Sequence, residues 1–326
     1  MIAGRQALRD HDLKKAEAYY SSALRLATPY GEQDPRYAES LHALAQIYSI
    51  DGKLDAARRT YSYELRILQR LDVDYSSQGA DLYELAKMES GLGHLDAALH
   101  FYEQAVIAYG KEPVQFGKEI AACQSGASEC YMDKHDYAKA EAMMKQAIAY
   151  WQKSTERFPE AYLGVCLVDL GRIYSRQGRY TDAESVFKDD LRNLENLPSC
   201  PDKTAGTAAC LEEMAENYRL AARYEEAIAT FKRAISGWEN AQRPPEIARC
   251  LVELGQTYES SMQYPDAVLS YKKAISILAP IEKRDPRVTP NLDQYKEMLA
   301  RVEKVTANKH ATSGPGINKS SPTTGP

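Results

Sequence analysis

The run Leu254-Gly255-Gln256-Thr257-Tyr258-Glu259-Ser260-Ser261-Met262-Gln263-Tyr264-Pro265-Asp266-Ala267-Val268-Leu269-Ser270-Tyr271-Lys272-Lys273-Ala274 decides how this chain folds. Its small and apolar residues return at steps of three and four, the period of a helix face. One helical run ends near Tyr258, and a second opens at Tyr264.

The second half of this run recurs along the chain as a small residue, an aromatic four places on and a small residue three places further. It appears as Ala16, Tyr20, Ala23, as Ala98, Tyr102, Ala105 and as Ala140, Met144, Ala147. Ala227, Phe231, Ala234 keep the same spacing, and Ala57, Tyr61 and Ala183, Phe187 keep its first two members. The leading alanines, 16, 57, 98, 140, 183, 227 and 267, stand 41, 41, 42, 43, 44 and 40 residues apart. A fixed period of this size marks a repeat architecture.

The first half recurs too. Leu44-Ala45, Leu85-Ala86, Leu170-Gly171 and Met214-Ala215 match Leu254-Gly255, followed by Tyr48, Tyr131, Tyr174 and Tyr218 in the place of Tyr258. Four residues further stand Gly52, Gly93 and Gly178, with His135 and Ala222 as substitutes. Glycine between two helical runs breaks the helix at low steric cost. Each unit is therefore helix A, a tight turn and helix B, with tyrosines filling the space beside the alanines. That accounts for 23 tyrosines against 5 phenylalanines.

The pattern resembles the tetratricopeptide repeat. The period, longer than that family's usual 34 residues, is similar to its kinesin-light-chain subtype, as is the helix A start Asp34-Pro35-Arg36-Tyr37-Ala38-Glu39-Ser40-Leu41. The resemblance implies an all-α, right-handed superhelical solenoid of antiparallel helix pairs. Seven repeats are expected at about 1–28, 35–70, 78–110, 117–154, 160–197, 204–240 and 244–280, with a capping helix over 290–305. Residues 306–326, rich in Ser, Thr, Gly and Pro, are expected to be a disordered tail. Helix A of the first unit lacks its start, so the natural chain is expected to extend upstream, where a signal sequence would sit. Kinesin light chains carry paired asparagines on helix A. Here those places read His42-Ala43, Tyr83-Glu84, Val168-Asp169, Glu212-Glu213 and Val252-Glu253, so a motor-cargo role is not implied. The lysine-asparagine clamp of chaperone-binding members is not formed either.

The resemblance further implies a concave groove that binds an extended peptide or helix. Its lining is expected from helix A at Gln46, Glu84, Lys87, Glu129, Asp169, Arg172, Arg176, Glu213, Glu216, Arg219, Glu253 and Gln256. The later stations are rich in carboxylates, which suits a protein or peptide ligand carrying Lys or Arg. The competing reading is a solvated face of internal ion pairs, each worth little.

Bulk properties remove other classes. A net charge of −5 opposes nucleic-acid binding, which needs a basic face. No run of 18 apolar residues occurs, so no membrane partner is expected and the expected compartment is the cytoplasm. No phosphate-binding loop, nucleophile elbow or zinc motif occurs, and the histidines form no cluster along the chain. No enzyme, cofactor or metal is expected. Cys123, Cys166, Cys210 and Cys250 share one column of helix A, which points to packing. Cys200 is the expected exposed thiol, with a Cys200–Cys210 disulfide open. Trp151 and Trp238 share a core column near the ends of two B helices. Three acids break the pattern. Glu64 and Asp190 stand where helix B should carry a small residue, and Glu89 replaces the helix A tyrosine. They are expected to reach solvent at loose junctions, the weakest between the second and third units. Paired carboxylates with one buried and its pKa raised are the alternative.

Overall fold

The computed structural model describes residues 2–71, 74–155, 159–197, 201–283 and 289–312. These residues form fifteen α-helices in two compact units, residues 1–166 and 167–326. The first unit contains α1 (Ile2–Arg9), α2 (Leu13–Ala27), α3 (Pro35–Ile50), α4 (Leu54–Leu71), α5 (Tyr75–Gly91), α6 (Leu95–Tyr109), α7 (Gly117–Asp133) and α8 (Tyr137–Trp151). Helix α9 (Pro159–Arg176) begins there and ends in the second unit. That unit continues with α10 (Tyr180–Glu195), α11 (Pro201–Leu220), α12 (Tyr224–Asn240), α13 (Pro244–Ser260), α14 (Tyr264–Glu282) and α15 (Thr289–Thr312). Consecutive helices pack on one another from α1 to α8 in the first unit and from α10 to α15 in the second. Several bounds differ from expectation by a few residues: α5 starts at Tyr75 rather than 78, α11 at Pro201 rather than 204, and α15 runs past 305 to Thr312. Residues 313–326 lie outside the described residues.

The alanine column is the spine of both units. Ala16, Ala57, Ala98, Ala140, Ala183, Ala227 and Ala267 have no exposed surface. The aromatic column beside it is buried as well, and its rings rest on the small residues of helix A. A Cβ placed on Gly171 would stand 2.4 Å from the Phe187 ring, and one on Gly255 would stand 2.7 Å from Tyr271. No side chain fits there, because real Cβ atoms do not approach so closely. The four column cysteines are buried free thiols, and Cys130 is another. Cys200 lies outside the described residues.

Each A–B turn ends helix A in the same way. The second residue after the helix enters the left-handed region: Gly52 at φ 73°, Gly93 at 78°, Gly178 at 76°, His135 at 59°, Ala222 at 58° and Met262 at 62°. The next amide then reaches back five residues to a helix carbonyl. Lys53 N bonds Tyr48 O at 2.8 Å, Asp136 N bonds Tyr131 O at 2.9 Å, Arg179 N bonds Tyr174 O at 2.9 Å and Arg223 N bonds Tyr218 O at 2.9 Å. This is the Schellman arrangement, which satisfies carbonyls left open at a helix end. The column tyrosine thus stops helix A through its backbone and packs through its ring.

The three pattern-breaking acids are not at loose, wet junctions. Glu64, Glu89 and Asp190 are each about 1% exposed, which corrects that expectation. Burial depth here is set by the neighbouring helices, and Arg58 reaches Glu89 from the preceding repeat. Glu89 lies between Arg58 Nε at 2.7 Å and His94 Nδ1 at 2.8 Å. Asp190 sits near Cys210, and burial pushes its carboxyl up to about 6 against a weak bond from that thiol. Its Oδ1 has no hydrogen-bond partner.

Two stability predictions follow from these features. A left-handed non-glycine residue costs about 1–2 kcal/mol, and glycine's extra unfolded freedom returns about 0.5–1 kcal/mol of it. Ala222→Gly should therefore raise the urea midpoint slightly, and Gly178→Ala should lower it. Shifts of the same sign in the two variants would refute this account of the turn. For Asp190 the folded pKa lies above the usual 3.8, so its neutral form favours folding at low pH. That contribution fades as pH rises through about 6. Asp190→Asn, which stays neutral, should melt higher than the parent at about pH 8 and gain less at about pH 4.5. A gain independent of pH would show that Asp190 does not titrate in this range.

Candidate functional site

The expected groove stations form separate charge clusters within the two units. In residues 2–166, Gln46 on α3 is exposed, and its amide nitrogen lies 2.9 Å from His42 Nε2. Glu84 and Lys87, one turn apart on α5, pair with each other at 3.2 Å. Glu129 is exposed on α7. The neighbouring station Gly126 is covered, since a Cβ there would lie 2.4 Å from the Tyr102 ring.

In residues 167–312 the stations come together more closely. Asp169 Oδ1 accepts from Arg172 Nη1 at 3.0 Å, and Arg172 Nε lies 3.6 Å from Glu213 Oε2 on α11. Arg219 donates to both oxygens of Glu216 at 2.6 Å. Arg249 on α13 donates to both oxygens of Glu212 at 2.9 Å, and the Trp238 indole N–H adds a third bond at 2.9 Å. Glu253 stands one turn from Arg249, and no hydrogen bond or ion pair among the described residues holds its carboxyl. Arg176 is exposed and Gln256 half-buried.

The electrostatics of this cluster follow from partial burial. Burial lifts the carboxyls of Asp169 and Glu213 above the ordinary range, with Arg172 opposing both. The Glu253 carboxyl is pushed up to about 8 by burial, then by Glu212, against the pull of Arg249, with Glu216 and Glu213 adding to the rise. Asp169, Glu212, Glu213, Glu216 and Glu253 thus face Arg172, Arg219 and Arg249: more carboxyls than guanidiniums. Sequence reading placed all but two of these residues. Glu212 and Arg249 were missed because Glu212 looks like a surface residue beside Glu213, and only the fold turns it inward onto Trp238.

Glu259, the last acid on this face, is taken by the final helix: Arg301 on α15 donates to it at 2.9 and 3.0 Å. The tryptophans are core residues. Trp151 is buried and stacks on Tyr162 at 4.5 Å, and Trp238 is held by Glu212.

A second cluster, in residues 2–166, was invisible in the sequence. His42 on α3, Glu64 on α4 and Asp81 on α5 converge, with His42 Nδ1 at 2.9 Å from Asp81 Oδ1 and 3.6 Å from Glu64 Oε2. The residues stand up to 39 apart in sequence, so no local spacing announces them. Burial opposes charge on His42, but its hydrogen bond to Asp81 and the nearby Glu64 carboxylate outweigh this and hold the imidazole well above its ordinary pKa. Burial raises both carboxyls, with His42 pulling against it. No helix among the described residues is long and apolar enough to cross a membrane.

Comparison with known proteins bears on the fold. A tetratricopeptide-repeat profile matches residues 3–70, 119–196 and 206–279, more than half of the chain. No curated protein matches the sequence. Among solved structures, a tetratricopeptide repeat protein from Parabacteroides merdae superposes with a TM-score of 0.62 at 18% identity, covering 92% of this chain and 96% of that one. A kinesin light chain-like protein of Podosopora anserina, with nearly identical TPR-like repeats, gives 0.54 at 21% identity, covering 65% of this chain and 99% of that one. A Rap protein complexed with competence and sporulation factor gives 0.56 at 13% identity, covering 91% of this chain and 80% of that one. The repeat columns, the helix pairs and the profile agree, and the chain belongs to the tetratricopeptide-repeat family.

Proposed function

We propose that this chain is a protein-interaction scaffold, and that α9, α11 and α13 within residues 167–312 take an extended peptide segment bearing Lys or Arg. The observation that carries the reading is Glu253. Its carboxyl is pushed up to about 8 by burial among Glu212, Glu213 and Glu216, and no cation among the described residues bonds it. An incoming ammonium or guanidinium supplies the missing charge and forms a charge-assisted bond in a partly desolvated place, where such bonds are strongest. Asp169 and Glu213, tied to one Arg172 between them, offer a second acceptor. Family membership supports a binding role, and the Rap protein seen with its factor illustrates the same fold holding a ligand.

The test is fluorescence anisotropy with labelled extended peptides that differ only in Lys and Arg content. Basic peptides should bind saturably, and Glu253→Gln or Glu213→Gln should weaken them about tenfold, the worth of one bond to a charged group. Affinity should rise between about pH 6 and pH 9, because Glu253 loses its proton at about 8 and only the carboxylate attracts the cation. Burial and the facing carboxylates Glu212, Glu213 and Glu216 keep its proton in place below that range, against the pull of Arg249, with Tyr295 nearby. Equal binding of acidic and basic peptides would sink the proposal.

A further inference from the structure

The geometry points to a divalent metal site at His42, Glu64 and Asp81, one that staples the second helix pair to the third. The three residues come from α3, α4 and α5, and their nearest ligand atoms all lie within 4.8 Å of one another. A first-row divalent ion sits about 2.0–2.2 Å from imidazole nitrogen and carboxylate oxygen. Tetrahedral geometry then sets ligand atoms roughly 3.4 Å apart. The observed separations from His42 Nδ1, 2.9 Å and 3.6 Å, bracket that value.

A cluster of acids alone would not establish a site. Here the side chains are also left without the partners that buried carboxylates require. Glu64 is 1% exposed and Asp81 is fully buried. Glu64 Oε2, which points at His42, and Asp81 Oδ2 have no hydrogen-bond partner. Charge leads to the same place. Two buried carboxylates against one imidazolium leave a negative charge in the core unless one carboxyl takes a proton. A divalent ion with a neutral imidazole balances both carboxylates.

The surroundings suit the ion as well. Gln46 lies against the outer nitrogen, His42 Nε2, at 2.9 Å. With its amide turned so that the oxygen accepts, Gln46 fixes the proton on Nε2 and leaves Nδ1 free to ligate, as outer partners of metal-bound histidines do. The His42 side chain is 26% exposed, so the triad lies directly beneath a side chain that meets solvent. One nitrogen and two carboxylate oxygens select zinc or manganese class ions over soft copper(I). The unit that looked weakly joined in the sequence, because Glu64 replaces a small residue, is then joined by the ligand that Glu64 provides.

The experiment uses the full chain, stripped with chelator and dialysed, then titrated with Zn²⁺ and separately with Mn²⁺ by calorimetry. Bound metal is counted by mass spectrometry of the digested sample. One equivalent of at least one of the two ions should bind, and the thermal midpoint should rise when it does. Glu64→Gln and Asp81→Asn keep the packing volume, so each should fold as judged by circular dichroism and lose at least about tenfold in affinity. His135→Ala, an exposed histidine elsewhere, should bind like the parent. Failure of the parent to bind either ion saturably would overturn the inference and leave a triad bridged by protons. So would unchanged affinity in both folded variants. A basic-peptide result at Glu253 bears on neither outcome, since that residue belongs to the other unit.

Discussion

The helix pairs of this chain close on a large buried side chain, an aromatic ring in every pair but the fourth, which uses Met144. Phe187 rests on Gly171 and Tyr271 on Gly255, each within the space a Cβ would need. A buried aromatic removes about 150–250 Å² from water, worth roughly 4–6 kcal/mol at 25 cal/mol per Å² as an upper bound. An exposed ion pair such as Lys87–Glu84 is worth about 0–1 kcal/mol. The rings therefore hold the pairs together, and the many surface ion pairs decorate faces whose direction the rings have already set. Which helix A residues become groove stations follows from that contact.

The heavy use of tyrosine over phenylalanine has a polar cause. A phenylalanine would fill the column equally well, but it has no polar tip. Tyr218 donates its hydroxyl to Glu184 at 3.0 Å, and Tyr271 donates to Glu259. Near the turns, tyrosine rings carry the cation that follows: Arg179 lies 4.0 Å over Tyr174 and Arg223 4.4 Å over Tyr218. Ring, hydroxyl and backbone carbonyl of one residue thus serve the core, the surface and the turn at once. His135, Ala222 and Met262 tolerate the left-handed turn because this arrangement determines the backbone there.

The fold was legible because repetition shows each column several times over. One alanine means little; seven at a nearly constant spacing fix the helix pairs and their turns. The charge stations were legible for the same reason: Asp169, Glu213 and Glu253 fall on one row of the repeat. Residues that depart from the pattern were not legible. A single Glu64 in a small-residue place reads as an acid reaching water, since nothing within its own helix answers it. Its partners, His42 and Asp81, lie on the preceding and following helices, and the burial of the site depends on all three. Glu212 was missed likewise, because only the packing of α12 and α13 on α11 shows that it faces Trp238 and Arg249.

These buried polar groups share a location that explains them. Apolar columns repeated in every unit let any pair stack on any other, so they cannot specify neighbours. A buried carboxylate costs several kcal/mol unless its own partner is present. Glu64 and His42 of the second pair meet Asp81 of the third, and Arg58 of the second meets Glu89 of the third. Asn217 of the sixth pair takes a hydrogen bond from Ser175 of the fifth at 2.8 Å, and Glu212 of the sixth takes Arg249 of the seventh. Each contact crosses a junction, and each would be left unsatisfied by a shifted or exchanged neighbour. The alanine and tyrosine columns make the stack stable, and the departures from them make its order unique.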